Sequence, residues 1–135
     1  MTEWIIPCNL KYYDVKGAFS KFKAIDWKKS AKNICVGDIV YIYVGKPISA
    51  IKYKCRVNKT NLSKVEIDDS EFQYVVYFKD ENIDEYKYCH MELELIREYA
   101  GTELTRDMLV ENGLKGNIQG PRRVDVLIQE SINKV

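Results

Sequence analysis

Ile39-Val40-Tyr41-Ile42-Tyr43-Val44 is the segment that most restricts what this chain can become. All six residues are β-branched or aromatic, and no polar residue interrupts them. Such a run fits a strand covered on both faces. Val36-Gly37-Asp38 precedes it as a turn signal, and Gly45-Lys46-Pro47 follows as another. From Ala50 to Val57, Ile51, Tyr53, Cys55 and Val57 alternate with Lys52, Lys54 and Arg56, the pattern of a half-buried strand. Residues 40–57 therefore read as an antiparallel pair.

Other elements fall in place around this pair. Trp4-Ile5-Ile6 reads as a short buried strand ended or edged by Pro7, with Asn9 to Tyr13 as the loop leaving it. Asp14 is a fair N-cap, and Val15, Ala18, Phe19, Phe22 and Ile25 form a helical stripe over Val15 to Ile25. Asp26 to Asn33 and Asn58 to Ser70 read as loops, Phe72 to Phe78 as a strand, and Lys79 to Tyr86 as a charged connection. His90 to Ile96 alternates again, with Met91, Leu93 and Leu95 inward and Glu92 and Glu94 outward. Thr105 caps a short helix carrying Leu104, Met108 and Leu109, stopped at Gly113. Pro121 starts a last helix with Val124, Leu127, Ile128 and Ile132 on one face. Strands carry the sheet without strict β-α-β alternation, so the fold class is α+β: a strongly curved mixed sheet or barrel flanked by about three helices. At 135 residues the chain is expected to be one domain, residues 1–135.

The chemistry is thin by comparison. His90 is the sole histidine, and no nucleophile elbow, phosphate-binding loop or dinucleotide fingerprint is present. Cys8, Cys35, Cys55 and Cys89 are widely spaced with no C-x-x-C pair, so they read as small, reduced, buried hydrophobes and not as zinc ligands. Two acidic groups, Asp68-Asp69-Glu71 and Glu92 with Glu94, are the candidates for a divalent cation, but neither has a following lysine in a strand pattern. No metal and no cofactor is expected. No apolar run reaches the roughly 20 residues of a membrane span. The N-terminus lacks the basic and apolar regions of a signal peptide, and a cytoplasmic protein is expected.

Twenty-one Lys and Arg against twenty Asp and Glu leave a net charge of +1, so any nucleic-acid contact must rest on a local patch. Basic residues dominate from Lys11 to Lys64 and acids from Glu66 to Glu98, which suggests a two-faced distribution. Aromatic residues are gathered early: Trp4, Tyr12, Tyr13, Trp27, Tyr41 and Tyr43. Each singly is a core residue by default. Tyr12-Tyr13 stand beside Asn9 and Asp14, Trp27 beside a lysine-rich loop, and Trp4, Tyr41 and Tyr43 on strands expected side by side near those loops. Together they fit a slot for a flat ligand such as a base, with Trp4, Trp27 and Tyr43 as its walls and Asn9 or Asp14 reading the base edge. Arg122-Arg123 at an expected helix start run against the helix dipole and would suit a phosphate, or a salt bridge to a glutamate strand.

Taken in order, Trp4-Ile-Ile-Pro-Cys-Asn9, Tyr13-Asp14-Val15, Ala18-Phe19, Trp27 and Val36-Gly37-Asp38 through Gly45 resemble the EVE domain of the PUA-like superfamily, a relative of the YTH and ASCH modules. The resemblance covers residues 3–60; Met91-Glu-Leu-Glu-Leu and Gln119-Gly-Pro-Arg-Arg-Val resemble the tail of EVE-like modules found beside restriction-type nucleases. It implies a bent β-barrel with an aromatic pocket for a modified base, such as methylated or hydroxymethylated cytosine in DNA or RNA. Trp4, Asn9, Tyr13, Asp14, Trp27, Tyr43 and Gly45 are the matching positions, and Lys46, Arg122 and Arg123 would contact phosphates. The implied activity is binding without catalysis, with a partner effector such as a nuclease. The competing readings are a metal-dependent nuclease or small hydrolase, and a protein-interaction subunit of a defence system.

Overall fold

A computed structural model describes residues 1–28, 31–62, 70–72 and 90–135. The elements are β1 (Glu3–Cys8), α1 (Val15–Lys21), β2 (Ala24–Lys28), β3 (Ile39–Val44), β4 (Ala50–Leu62), a 3₁₀ turn (Ser70–Phe72), β5 (His90–Glu98), α2 (Arg106–Glu111), β6 (Arg122–Arg123) and α3 (Val126–Asn133). The strands join in one sheet in the order β2-β5-β4-β3-β1-β6. The pairing of β1 with β3 is parallel and the rest antiparallel. The α+β class with a mixed sheet, and with three helices among the described residues, is thus as the periodicities require.

All six residues of β3 are buried, and their alternation divides the protein into two cores. Val40, Ile42 and Val44 face an inner core with Trp4, Ile6, Cys8, Val15, Ala18, Ile25, Tyr53, Cys55, Val57, Met91 and Leu93. Ile39, Tyr41 and Tyr43 face an outer core with Ile5, Ile51, Tyr99, Leu104, Leu109, Ile128 and Ile132. Strands β1 to β5 and α1 all contribute to the first, so the sheet curls around it. Helices α2 and α3 cover the second.

A bulge makes this division work in β4. Ile42 pairs with Tyr53 but Tyr43 pairs with Ile51, which leaves Lys52 as the extra residue. Ile51 and Tyr53, two apart in sequence, therefore enter opposite cores. Lys52 is fixed at the bulge by its ammonium donating to the Tyr99 carbonyl at 2.8 Å, while Tyr99 N–H donates back to the Lys52 carbonyl at 2.7 Å.

Several expected boundaries move. The helical stripe ends at Lys21, because Phe22 is extended and Ile25 is a strand residue paired with Leu93. Trp27 accordingly sits in β2 and not in a loop. Residues 58–62, read as loop, prolong β4 through further bulges opposite β5. Pro121 starts no helix; Arg122 and Arg123 form an edge strand on β1, and Asp125 caps α3 by accepting from Ile128 N–H. Leu127 is exposed while Ile128 and Ile132 are buried. Phe72 lies in the 3₁₀ turn, and the strand expected over residues 73–78 is outside the described residues. So are the connection over residues 79–86, Asp68, Asp69 and Cys89.

Candidate functional site

The loop between β1 and α1 is built by three short-range locks. Asn9 is exposed, its side-chain oxygen accepts from Lys11 N–H at 3.0 Å, and its carbonyl accepts from Tyr12 and Tyr13 N–H. Asp14 caps α1 by accepting from Gly17 N–H at 3.0 Å. The Asp14 N–H donates to the Phe72 carbonyl at 2.7 Å, which ties the loop to the 3₁₀ turn. Gly17 is needed here because a Cβ would lie 2.3 Å from the Asp14 carboxylate and 2.8 Å from the Phe72 ring.

These locks hold Tyr13 against Trp27 of β2. The ring centroids are 5.4 Å apart at an interplanar angle of 73°. Both side chains are half-buried and pack on the rim of the inner core. The contact crosses the curl of the sheet, joining the loop after β1 to the first strand in the sheet order. Two rings at this angle make a corner and not a parallel-walled slot. A planar group entering it would stack on one ring and meet the edge of the other.

Cys8 and Tyr53, which feel the Asp14 charge, are neutral at physiological pH. Burial pushes the Cys8 thiol up to about 12, and the Asp14 charge adds to this. Burial likewise pushes the Tyr53 hydroxyl up to about 12, with Glu98, Cys8 and Asp14 contributing. Cys8 therefore lacks the thiolate character of a nucleophile. Burial raises Cys55 further still. Cys35 departs from the buried-thiol expectation, since it is exposed.

The structure does not bring the other aromatic candidates to this corner. Trp4 is 5% exposed, and its indole N–H donates to the Asp38 carboxylate at 3.1 Å. Tyr43 belongs to the outer core, on the opposite face of β3 from the core beside Trp27. Trp27 and Tyr43 consequently do not face one another. Gly45 shapes the turn after β3: its N–H donates to the Cys8 carbonyl at 3.0 Å, and its carbonyl accepts from Ile48 and Ser49. Lys46 is exposed in that turn.

Arg122 and Arg123 part for the same reason as any adjacent strand residues, by pointing to opposite faces. Arg123 pairs with Trp4 and lays its guanidinium over the indole at 5.4 Å. Arg122 pairs with Ile5 and donates to the Lys115 carbonyl at 2.9 Å. A joint phosphate clamp at a helix start is therefore corrected to two separate cations at a sheet edge.

The two-faced charge distribution is also corrected. Basic β4 and acidic β5 are neighbours, and their charges meet across the ladder. Arg56 pairs with Glu94 at 2.5 Å, Lys59 with Glu92 at 3.8 Å and Lys52 with Glu98 at 3.8 Å, while Lys23 also reaches Glu94 at 3.8 Å. Glu71 is taken by Lys21 at 2.5 Å. Glu92 and Glu94 thus lie among cations, and no group of three or more metal-ligating side chains occurs among the described residues.

Asp38 is the residue that sequence reasoning passed over. Its buried carboxylate accepts from Thr2 N–H at 3.0 Å, Trp4 Nε1 at 3.1 Å and Cys35 N–H at 2.9 Å. Burial pushes its pKa up, but these hydrogen bonds and the nearby amino terminus outweigh burial and hold it below the ordinary value. The Gly37-Asp38 pair ahead of β3 was the available signal, but it read as a turn and as part of the family resemblance, not as a buried acceptor.

No protein-family model and no curated protein matches this chain. Solved structures do match in fold. ASCH from Zymomonas mobilis aligns over 99% of this chain and 95% of its own at 10% identity with a TM-score of 0.61. A hypothetical protein from Leishmania major aligns over 99% and 93% at 14% identity with a TM-score of 0.64. A protein from Rhodopseudomonas palustris aligns over 99% and 92% at 10% identity with a TM-score of 0.60. The fold is that of the ASCH structures.

Proposed function

We propose that the chain is a non-catalytic module of EVE type that binds a base in DNA or RNA and favours a modified one, such as methylated or hydroxymethylated cytosine. The observation carrying this reading is the half-buried Tyr13–Trp27 corner at the rim of a PUA-like curl. Aromatic stacking contributes about 1–3 kcal/mol per base and tolerates any base, so discrimination must come from the polar rim. Asn9 is exposed on that rim, and Asp14 stands at the loop's end. Lys11 and Lys46 are exposed cations available to the backbone. The absence of a charge excess limits this to a short contact, such as a single strand or an extruded nucleotide.

The occupation of Glu92 and Glu94 by Lys59, Arg56 and Lys23 favours binding over metal-assisted hydrolysis. A binder of this kind would act through a separate effector such as a nuclease. The test is equilibrium binding of short single strands carrying cytosine, 5-methylcytosine or 5-hydroxymethylcytosine. A modified strand is expected to bind more tightly, and Trp27→Ala to weaken that binding by about 5- to 150-fold. Equal affinity for every strand would reject modified-base recognition.

A further inference from the structure

The loop between α2 and β6 gathers three cations at one place. Gly113 and Gly116, at φ +104° and +72°, turn the loop, and Leu114 and Ile118 anchor it in the outer core. Between the anchors Lys115, Gly116 and Asn117 are exposed. Arg106 reaches in from α2, donating to the Gly116 carbonyl at 3.3 Å and to the Asn117 side-chain oxygen at 3.0 Å. Arg122 reaches in from β6 and donates to the Lys115 carbonyl at 2.9 Å. Guanidiniums bonded to consecutive carbonyls lie within about the 10 Å over which charges act at ordinary ionic strength.

Among the described residues, none of Arg106, Lys115 and Arg122 makes an ion pair. Along β4 and β5, by contrast, Lys52, Arg56 and Lys59 are matched with glutamates. Here like charges are brought together and left without a counter-ion. Each arginine spends one terminal nitrogen on the loop, which fixes the guanidinium and leaves further N–H groups to donate. Fixed, planar, charged donors suit the oxygens of a phosphate.

We infer that Arg106, Lys115 and Arg122 form a second anion site that takes the phosphodiester backbone of a polynucleotide. This rests on the nucleic-acid reading above and adds a place to it. The site lies on the outer-core side of the sheet, away from the Tyr13–Trp27 corner on the inner-core rim. It would therefore hold a strand whatever its bases, while the corner inspects one of them.

An abasic single strand separates the two contributions, because it has phosphates and nothing to stack. Lys115 has an exposed side chain with no bonded partner, so Lys115→Glu should leave the thermal midpoint unchanged. It should weaken abasic binding about tenfold at low salt and lower the slope of log K against log salt by about 0.7 or more. The double variant R106K/R122K keeps the charges but loses the fixed planar donors, so it should weaken abasic binding while leaving the salt slope as in the parent. Trp27→Ala should bind the abasic strand as the parent does. Unchanged affinity and slope for Lys115→Glu would overturn this site and leave the corner standing. A parent protein that binds no strand at any salt would overturn both. Full displacement of the strand by millimolar inorganic phosphate would show a free-phosphate site and overturn the polynucleotide assignment.

Discussion

Asp38 gathers three N–H donors on one carboxylate: the Thr2 backbone, the Trp4 indole and the loop backbone at Cys35. Removing the acceptor strands these N–H groups, so Asp38→Ala is expected to cost about 3 kcal/mol in denaturant unfolding. Its folded pKa lies below the ordinary value of 3.8. Its contribution is therefore complete above the unfolded pKa and is given up as pH falls through the folded one. The parent should lose stability below about pH 4, and Asp38→Asn should lose less over the same interval. Gly17→Ala would normally favour a helix, yet here the new methyl meets the Asp14 cap and the Phe72 ring. A loss of about 1–2 kcal/mol is expected, where an unobstructed site would gain up to about 1. Asp14 as a cap could be read from its place before an apolar stripe. The role of Asp38 could not, because its donors come from residues 2, 4 and 35 and only folding assembles them.

Among the elements, the strands with the strongest patterns were legible. β3 has no polar break, and β5 alternates cleanly. The misread elements share one cause, tertiary pairing prevailing over local pattern. Ile25 fits the stripe of α1, but its burial opposite Leu93 decides for β2. Polar residues 58–62 continue β4 because bulges keep their backbone on β5. Arg122-Arg123 follow a proline and precede apolar residues, which reads as a helix start; β1 instead offers an open edge that takes them. In α3 the same reading put Leu127 inward, whereas Ile128 and Ile132 are the buried pair. Ile128→Ala should therefore cost about 3 kcal/mol, and Leu127→Ala less than about 0.5, in paired unfolding curves. Equal losses would contradict the placement of α3.

For the molecule as a whole, the curl is what brings the sequence-distant rings of Tyr13 and Trp27 into contact. Tyr13 and Trp27 were legible as candidates because they stood beside polar or lysine-rich segments. Trp4 and Tyr43 were expected as walls of the same slot from neighbouring strands, but the parity of β1 and β3 sends them into two cores. An unbroken apolar run shows that both faces are covered but not which parity meets which core. Near-zero net charge conceals local order too: β4 and β5 cancel one another, while the loop at Lys115 keeps its charge. Binding measured against salt should thus show a shallow slope, that of a few phosphates and not of a long duplex track.

The most direct measurement is the affinity of the parent and of Trp27→Ala for two short strands that differ only in one modified cytosine. The parent should prefer the modified strand, and the variant should hold both strands more weakly by about 1–3 kcal/mol. An equal hold on both strands by the parent, or an undiminished affinity in Trp27→Ala, would contradict the account.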